Sequence, residues 1–446
     1  MTERRRPAAA ALAAALILVA AGCATRPDGA PSVPSVPSVA PDVGQPAGTP
    51  ATTPTPPQPP APAVKPGAPF SPLRHEAAAW KALPGWYSDR IDEAWPALRE
   101  SCRALATRRA AAPWLEACRA AEAMPAADTR DPARVRAFFE RHFVPWRLIA
   151  VDADGTENDR GLITGYYEPL LRGSRSRDAR YRYPLYGVPD DLVTVDLAAL
   201  YPQLKGQRIR GRLEGRRLLP YFSRGEIDRG VASLKGRELL WVDDRLDAFF
   251  LEIQGSGRVQ LPDGSVVRIG YADQNGHPYR AIGRVLVERG ELTLEEASMQ
   301  GIRNWALANP DKVTPLLHSN PSRVFFRELP PLAASAAAAS TASGAPGAVG
   351  PPGSLGVPLT PMRSIAIDPR SVMLGAPVWL ATVDPLDGKP IERLTFAQDT
   401  GGAIIGAIRA DLFWGFGNAA GESAGRMREF GAMWMLLPRG VKPGRP

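Results

Sequence analysis

The sequence predicts a mainly β protein with a helical flank. Three observations carry that expectation. Residues 71 to about 145 follow a helical period, as in "DPARVRAFFERHF", where Val135, Phe138, Phe139 and Phe143 share one apolar face. After Val144 the period is lost, and short apolar runs split by turn residues continue through most of the chain. A last block from Pro358 to about Leu437 is patterned the same way.

The first segment, "MTERRRPAAAALAAALILVAAGC", has a basic head at Arg4, Arg5 and Arg6 and an apolar run from Ala8 to Ala21. That run is short for a membrane span and suits a secretory signal over residues 1–22. The small residues before Cys23 resemble a bacterial lipobox, with Ala20 where leucine is usual. The expectation is a lipidated Cys23, with Ala24 directing the protein to the periplasmic side of the outer membrane. The plainer alternative is an ordinary cleaved signal and a chance cysteine. Residues 23–70 are rich in Pro, Ala, Ser and Thr, cannot bury a core, and read as a disordered tether. Such a tether reaches on the order of 100 Å when extended, enough to bring a globular body to a polymer layer above a membrane.

In the flank, Asp131 can cap a helix whose first position is Pro132. Cys102 and Cys118 lie in helical patterning interrupted by Pro113, and an exported protein would pair them in a disulfide; two buried thiols are the alternative. Further on, "RLLPYFSR", "LLWVDDRLDAFFLEIQGSG" and "SVVRIGYADQNG" read as strands and tight turns. A helix returns in "ELTLEEASMQGIRNWALANP", where Thr293 and Glu296 have the spacing of a capping box. The alanine-rich stretch at 332–352 reads as a low-complexity surface loop.

The net charge of +8 comes from scattered arginines and not from a basic stripe. No helix-turn-helix, zinc-finger or RNA-binding motif occurs, and export would defeat a nucleic-acid role. The basic surface suits an anionic polymer or anionic lipid. His75, His142, His277 and His318 are scattered and none has a ligand-like neighbour, so no metal and no cofactor are expected.

The chemistry points to "FAQDTGGAIIGAIRADLFWGFG", with Asp399 and Asp411 in one glycine-rich segment. Asp399-Thr400-Gly401 looks like an aspartic-protease loop, but that mechanism needs two such loops and the chain has one. Asp368, Asp399 and Asp411 could together bind a hard cation, yet their surroundings are apolar and no further acidic ligand lies near in sequence. No nucleophile elbow is present, since "QGSGR" carries its serine in another frame.

Six motifs taken together are specific: "TGYYEP" at 164–169, "LEIQGSG" at 251–257, "YADQNGHPYRAIG" at 271–283, "NPSRVFFRE" at 320–328, "GSLGVPLTPMRSIAIDP" at 353–369, and the aspartate segment. In order and spacing they resemble the membrane-bound lytic murein transglycosylase A family, including its three-aspartate domain. The resemblance implies a double-psi β-barrel domain with a second β-barrel-like domain inserted and a groove between them. The first domain would comprise 71–170 and 328–446, and the insert 171–327. It also implies exolytic cleavage of the β-1,4 bond between N-acetylmuramic acid and N-acetylglucosamine, leaving a 1,6-anhydro end.

One carboxyl group suffices for that reaction, because the nucleophile is the substrate's own C6 hydroxyl and the step is intramolecular. The position matching the family's catalytic aspartate is Asp411, in an apolar local sequence suited to a raised pKa. Asp399 and Asp368 are expected to be structural, accepting backbone N–H bonds near the site. Gln254 and Ser256 carry groups suited to sugar substituents, and Gly257 would allow close backbone approach. Tyr166, Tyr167 and Tyr271 are either stacking platforms for sugar rings or core aromatics. Arg323 stands where an aromatic residue is expected, which would alter groove contacts. The expected partners are peptidoglycan glycan strands and the outer-membrane lipid anchor, with cell-wall synthases or scaffolds as further candidates. A peptidoglycan-binding lipoprotein without activity is the alternative function.

Overall fold

The computed structural model describes residues 73–107, 114–152, 154–201, 204, 209–331 and 350–444. The expected signal, Cys23, the tether, Pro113 and nearly all of the 332–352 loop lie outside the described residues.

The flank opens with a strand that the helical reading missed, β1 (Leu73–Ala77). Three helices follow: α1 (Trp95–Leu105), α2 (Leu115–Glu122) and α3 (Pro132–His142). Asp131 caps α3 by accepting the Ala133 and Arg134 amides, and Val135, Phe138 and Phe139 are buried beneath it. A disulfide joins Cys102 of α1 to Cys118 of α2, with Cα atoms 5.5 Å apart.

Strands β2 (Phe143–Val151), β3 (Glu157–Asn158) and β4 (Gly161–Glu168) come next. They belong to a nine-stranded sheet completed near the C-terminus by β14 (Ser364–Ile367), β15 (Pro377–Val383), β16 (Pro390–Asp399), β17 (Ala410–Phe416) and β18 (Arg428–Pro438). The order β18-β15-β16-β14-β17-β4 returns on itself, because β4 also pairs with β18, and six strands therefore close a ring. Two of its pairings, β14 with β16 and β17 with β4, are parallel. Closure leaves these six without a free edge. Ile163, Ile365, Ile367, Leu412 and Met433 are fully buried in one core with the flank aromatics.

The flank is locked to this ring by polar groups as well as packing. Arg363, only 2% exposed, donates to both Asp89 oxygens at 2.7 and 2.8 Å and to Glu93 at 3.0 Å. Gln398 on β16 donates to the Ala97 carbonyl at 2.8 Å and the Ser101 hydroxyl at 3.0 Å on α1.

Between β4 and β14 the chain builds sheets of its own. β5 (Leu170–Ser174), β6 (Tyr183–Tyr186), β10 (Glu238–Val242), β11 (Ser256–Gln260), β12 (Val266–Gln274) and β13 (Val324–Leu329) form a six-stranded sheet in the order β13-β12-β11-β5-β10-β6. A smaller sheet holds β7 (Val193–Val195), β8 (Ile209–Glu214) and β9 (Arg217–Leu219). Helices α5 (Arg245–Gln254), α6 (Ile282–Glu288), α7 (Met299–Ala308) and α8 (Val313–His318) share a core of their own, α5 also packs on the six-stranded sheet, and α4 (Arg224–Asp228) packs on Phe325 of β13. A last helix, α9 (Gly417–Arg426), lies between β17 and β18.

Two local readings are corrected. "RLDAFFLEIQ" is helix α5 and not strand: Asp244 accepts the Leu246 and Asp247 amides, Leu246, Phe249 and Phe250 recur at helical spacing, and Gly255 ends the helix at φ 76°. The Thr293–Glu296 box does form, with bonds of 2.9 and 3.3 Å, but it closes a turn; Ser298 caps α7 five residues later.

Candidate active site

Asp411 lies on β17 in register with Thr164 on one side and Ala366 of β14 on the other. Ala366 is in turn registered with Asp399 on β16. The two aspartates thus occupy one row, two strands apart, which separates their backbones by roughly 10 Å.

They are held in different ways. Asp399 Oδ1 accepts from the Ser354 amide at 2.9 Å, the Ser354 hydroxyl at 2.8 Å and the Thr400 amide at 2.9 Å, while Oδ2 accepts from the Tyr166 hydroxyl at 3.0 Å. Burial pushes this carboxyl up against all of those donors. Four donors fix its orientation, three on Oδ1 and one on Oδ2. Asp411 accepts one bond, from the Thr164 hydroxyl to Oδ1 at 2.5 Å, and Oδ2 accepts none from the described residues. Burial pushes the Asp411 carboxyl up, the Arg409 charge and the Thr164 bond pull it down, and the Asp399 charge adds to the rise.

Thr164 and Arg409 were not singled out from the sequence. Arg409 Nη2 donates to the Thr164 hydroxyl at 2.9 Å, and Nη1 donates to the carbonyls of Ala410 at 2.5 Å and Leu162 at 3.2 Å. Because the Thr164 oxygen accepts from Arg409, its own proton is directed at Asp411. The available signal was local: Arg409 precedes Asp411 by two residues, and Thr164 opens "TGYYEP".

Asp368 is 1% exposed and accepts from the Arg370 guanidinium and amide and from the Gly406 amide at 2.9 Å. Burial opposes its ionised form, yet these donors hold it below the usual carboxylate range. It ties the end of β14 to the loop that leads into Asp411.

The six groove candidates separate. Tyr166 is 9% exposed, packs on Phe413 with ring centres 5.2 Å apart, and gives its hydroxyl to Asp399, so it is a core aromatic and offers no face to a sugar. Tyr167 turns to the opposite side of β4, as strand alternation requires, against Gly421 of α9. There it lines a cleft of about 930 Å³ with Met299, Arg303, Asn304, Asn418 and Glu422, whose lining does not include Asp411. Gln254 ends α5, accepts the Tyr167 amide at 3.0 Å and points its nitrogen at the Met299 sulfur. Ser256 is buried on β11. Gly257 is required by packing and not by ligand approach: a Cβ there would lie 2.4 Å from Leu251 and 3.1 Å from the Pro169 carbonyl. Tyr271 is half-buried on β12, with its amide on the Gly255 carbonyl at 2.7 Å. Glu168 is fully buried and ion-paired to Arg258 at 2.8 Å, so it is no second catalytic carboxylate. Arg323 is buried, bonded to Asp228 and the Pro184 carbonyl.

Known proteins resemble this chain in sequence and fold. Residues 162–327 match the MltA specific insert domain and residues 363–437 match the 3D domain. The chain is 34% identical over 304 residues to membrane-bound lytic murein transglycosylase A of Escherichia coli strain K12, covering 65% of this chain and 70% of that protein. It resembles the crystal structure of MltA from Neisseria gonorrhoeae with a TM-score of 0.70 and 36% identity, over 87% of this chain and all of that one. The structure of E. coli MltA with bound chitohexaose matches at a TM-score of 0.57 and 27% identity, over 83% and 95% of the two chains. Matches to both family domains and one-third identity to curated relatives lead to one conclusion: this chain belongs to the membrane-bound lytic murein transglycosylase A family.

Proposed function

We propose that this chain is a peptidoglycan lytic transglycosylase in which Asp411 is the single general acid/base. The observation that carries the reading is the contrast in one row: burial raises both carboxyls, but Asp399 is held by four donors on both oxygens, whereas Asp411 accepts one bond and keeps Oδ2 unengaged among the described residues. A carboxyl group whose protonated form is favoured by burial and which keeps a free oxygen suits proton donation to a leaving group.

In the reaction, protonated Asp411 gives its proton to the oxygen linking N-acetylmuramic acid to N-acetylglucosamine. The bond from C1 to that oxygen breaks. The C6 hydroxyl of the muramic residue attacks C1 and surrenders its proton to the Asp411 carboxylate, which restores the acid. No water is consumed, and the product ends in a 1,6-anhydro ring. Proximity within one sugar supplies what a positioned water supplies in hydrolysis. Thr164 and Arg409 orient Asp411, and Asp399, Asp368 and Tyr166 stiffen its surroundings.

The reading extends to architecture and location. The parallel pairings of β14 with β16 and β17 with β4 support a double-psi barrel over 71–170 and 328–446, with 171–327 inserted. The lipobox-like sequence before Cys23 supports an outer-membrane lipoprotein.

The test is a digest of purified peptidoglycan by wild type and Asp411→Asn, with products read by mass spectrometry. Anhydro-muramic products from wild type alone are expected. Reducing ends, one water heavier, would mean hydrolysis and a second catalytic group. Binding without cleavage by either protein would leave the non-catalytic lipoprotein.

A further inference from the structure

A second cavity, of about 1000 Å³, opens where α1 and α2 meet the segment Thr360–Arg363 and β16. Seven arginines and four acidic residues line it. Three of the arginines are matched within it: Arg90 with Asp92, Arg103 with Glu100, and Arg363 with Glu93. Arg99, Arg119, Arg130 and Arg393 have no side-chain hydrogen bond or ion pair among the described residues, and only Glu122 is similarly unmatched on the acidic side. The cavity therefore holds an excess of positive charge without a protein counterion.

Arg393 is the informative member. It is half-buried, and its Nε is buried without a partner. Burial and the charge of Arg363 both hold its guanidinium below the usual value. Three carboxylates attract it without reversing this: Asp89 and Glu93 are already bonded to Arg363, and Asp384 acts more weakly than either. A buried Nε without a partner is costly, and a carboxylate presented to the guanidinium fork would offset that cost. Met362, also in the wall, has φ 59°, the one non-glycine residue at positive φ among the described residues. Its amide is held by the Phe413 carbonyl at 2.7 Å, two residues from Asp411. Strained backbone of this kind concentrates at binding sites.

We propose that this cavity binds the carboxylates of the peptide stems that peptidoglycan carries, as a docking site separate from Asp411. A peptide fits better than a membrane surface. The acidic residues interspersed with the arginines would repel a dense layer of lipid phosphates, and the unmatched Glu122 suits the ammonium group of a diamino acid on the same stem. The inference rests on peptidoglycan being the substrate and names the part of it recognised away from the scissile bond.

The test is calorimetric titration of the full chain with a synthetic stem tetrapeptide containing diaminopimelate, with the same peptide fully amidated, and with phosphatidylglycerol vesicles. The free-acid peptide is expected to bind, with affinity at least about tenfold weaker after amidation or after Arg393→Gln, the loss of one charge-assisted pair. Arg99→Gln with Arg119→Gln, both at exposed positions, gives the same direction should Arg393→Gln disturb folding. Absence of peptide binding, equal binding of the amidated peptide, or arginine-dependent binding of vesicles in place of peptide overturns the proposal. The result is independent of the digest: a chain that binds stems but releases no anhydro products would retain this site and lose the transglycosylase reading.

Discussion

The hydroxyl of Thr164 is placed between a cation and an acid, accepting from Arg409 at 2.9 Å and donating to Asp411 at 2.5 Å. Parallel pairing of β4 with β17 puts Thr164 directly beside Asp411. The arrangement orients the carboxyl without sealing its second oxygen. It also opposes the effect of burial, since both the bond and the nearby charge favour ionisation.

Thr164→Val tests that role. Removing the bond takes away a pull towards ionisation, so the Asp411 pKa rises further and the alkaline limb of the pH–rate profile moves to higher pH. The maximal rate is expected to fall about 10- to 100-fold through lost orientation. Thr164→Ser should restore both quantities. A rate loss with an unmoved limb would reduce Thr164 to a packing role.

Asp411→Asn should lower kcat by about 10²- to 10⁴-fold, the range for a general acid/base. Its effect on stability has the opposite sign. A carboxyl whose folded pKa is raised stabilises the fold while protonated, and that contribution is lost as pH rises through the folded value. The asparagine variant is therefore expected to match wild type in acid and to exceed its Tm on the alkaline side, measured by calorimetry across pH.

Tyr166→Phe removes the sole donor to Asp399 Oδ2 among the described residues while preserving the ring on Phe413. A hydrogen bond to a charged group contributes about 1.5–3 kcal/mol, so urea unfolding should show a loss of that order. The Asp399 pKa should rise, because the lost bond favours the ionised form. An unchanged midpoint would mean that solvent replaces the tyrosine.

Reduction of the Cys102–Cys118 bond frees a 16-residue separation between α1 and α2. A loop of that size corresponds to about 3 kcal/mol of chain entropy. Calorimetry with and without reductant should show Tm lower by roughly 3–5 °C for a protein of this size. Both helices pack in the core shared with the six-stranded ring, so the loss should appear in the main transition.

The amino-acid sequence by itself determined what depends on neighbours along the chain. The Asp131–Pro132 start of α3, the apolar face of Val135, Phe138 and Phe139, and the grouping of Asp399 with Asp411 in one segment are local patterns. Where local pattern was ambiguous it misled: the apolar run of α5 read as a strand, and the Thr293–Glu296 box marked a turn short of α7. Tertiary structure decided the rest. The row Asp399–Ala366–Asp411–Thr164 joins four strands, and Thr164 is 247 residues from Asp411. Strand alternation says that Tyr166 and Tyr167 face opposite ways, but only pairing partners say which of them meets an aspartate. The pKa of Asp411, the packing need at Gly257 and the unmatched Arg393 all arise from what distant segments exclude or supply, and that is set by long-range packing.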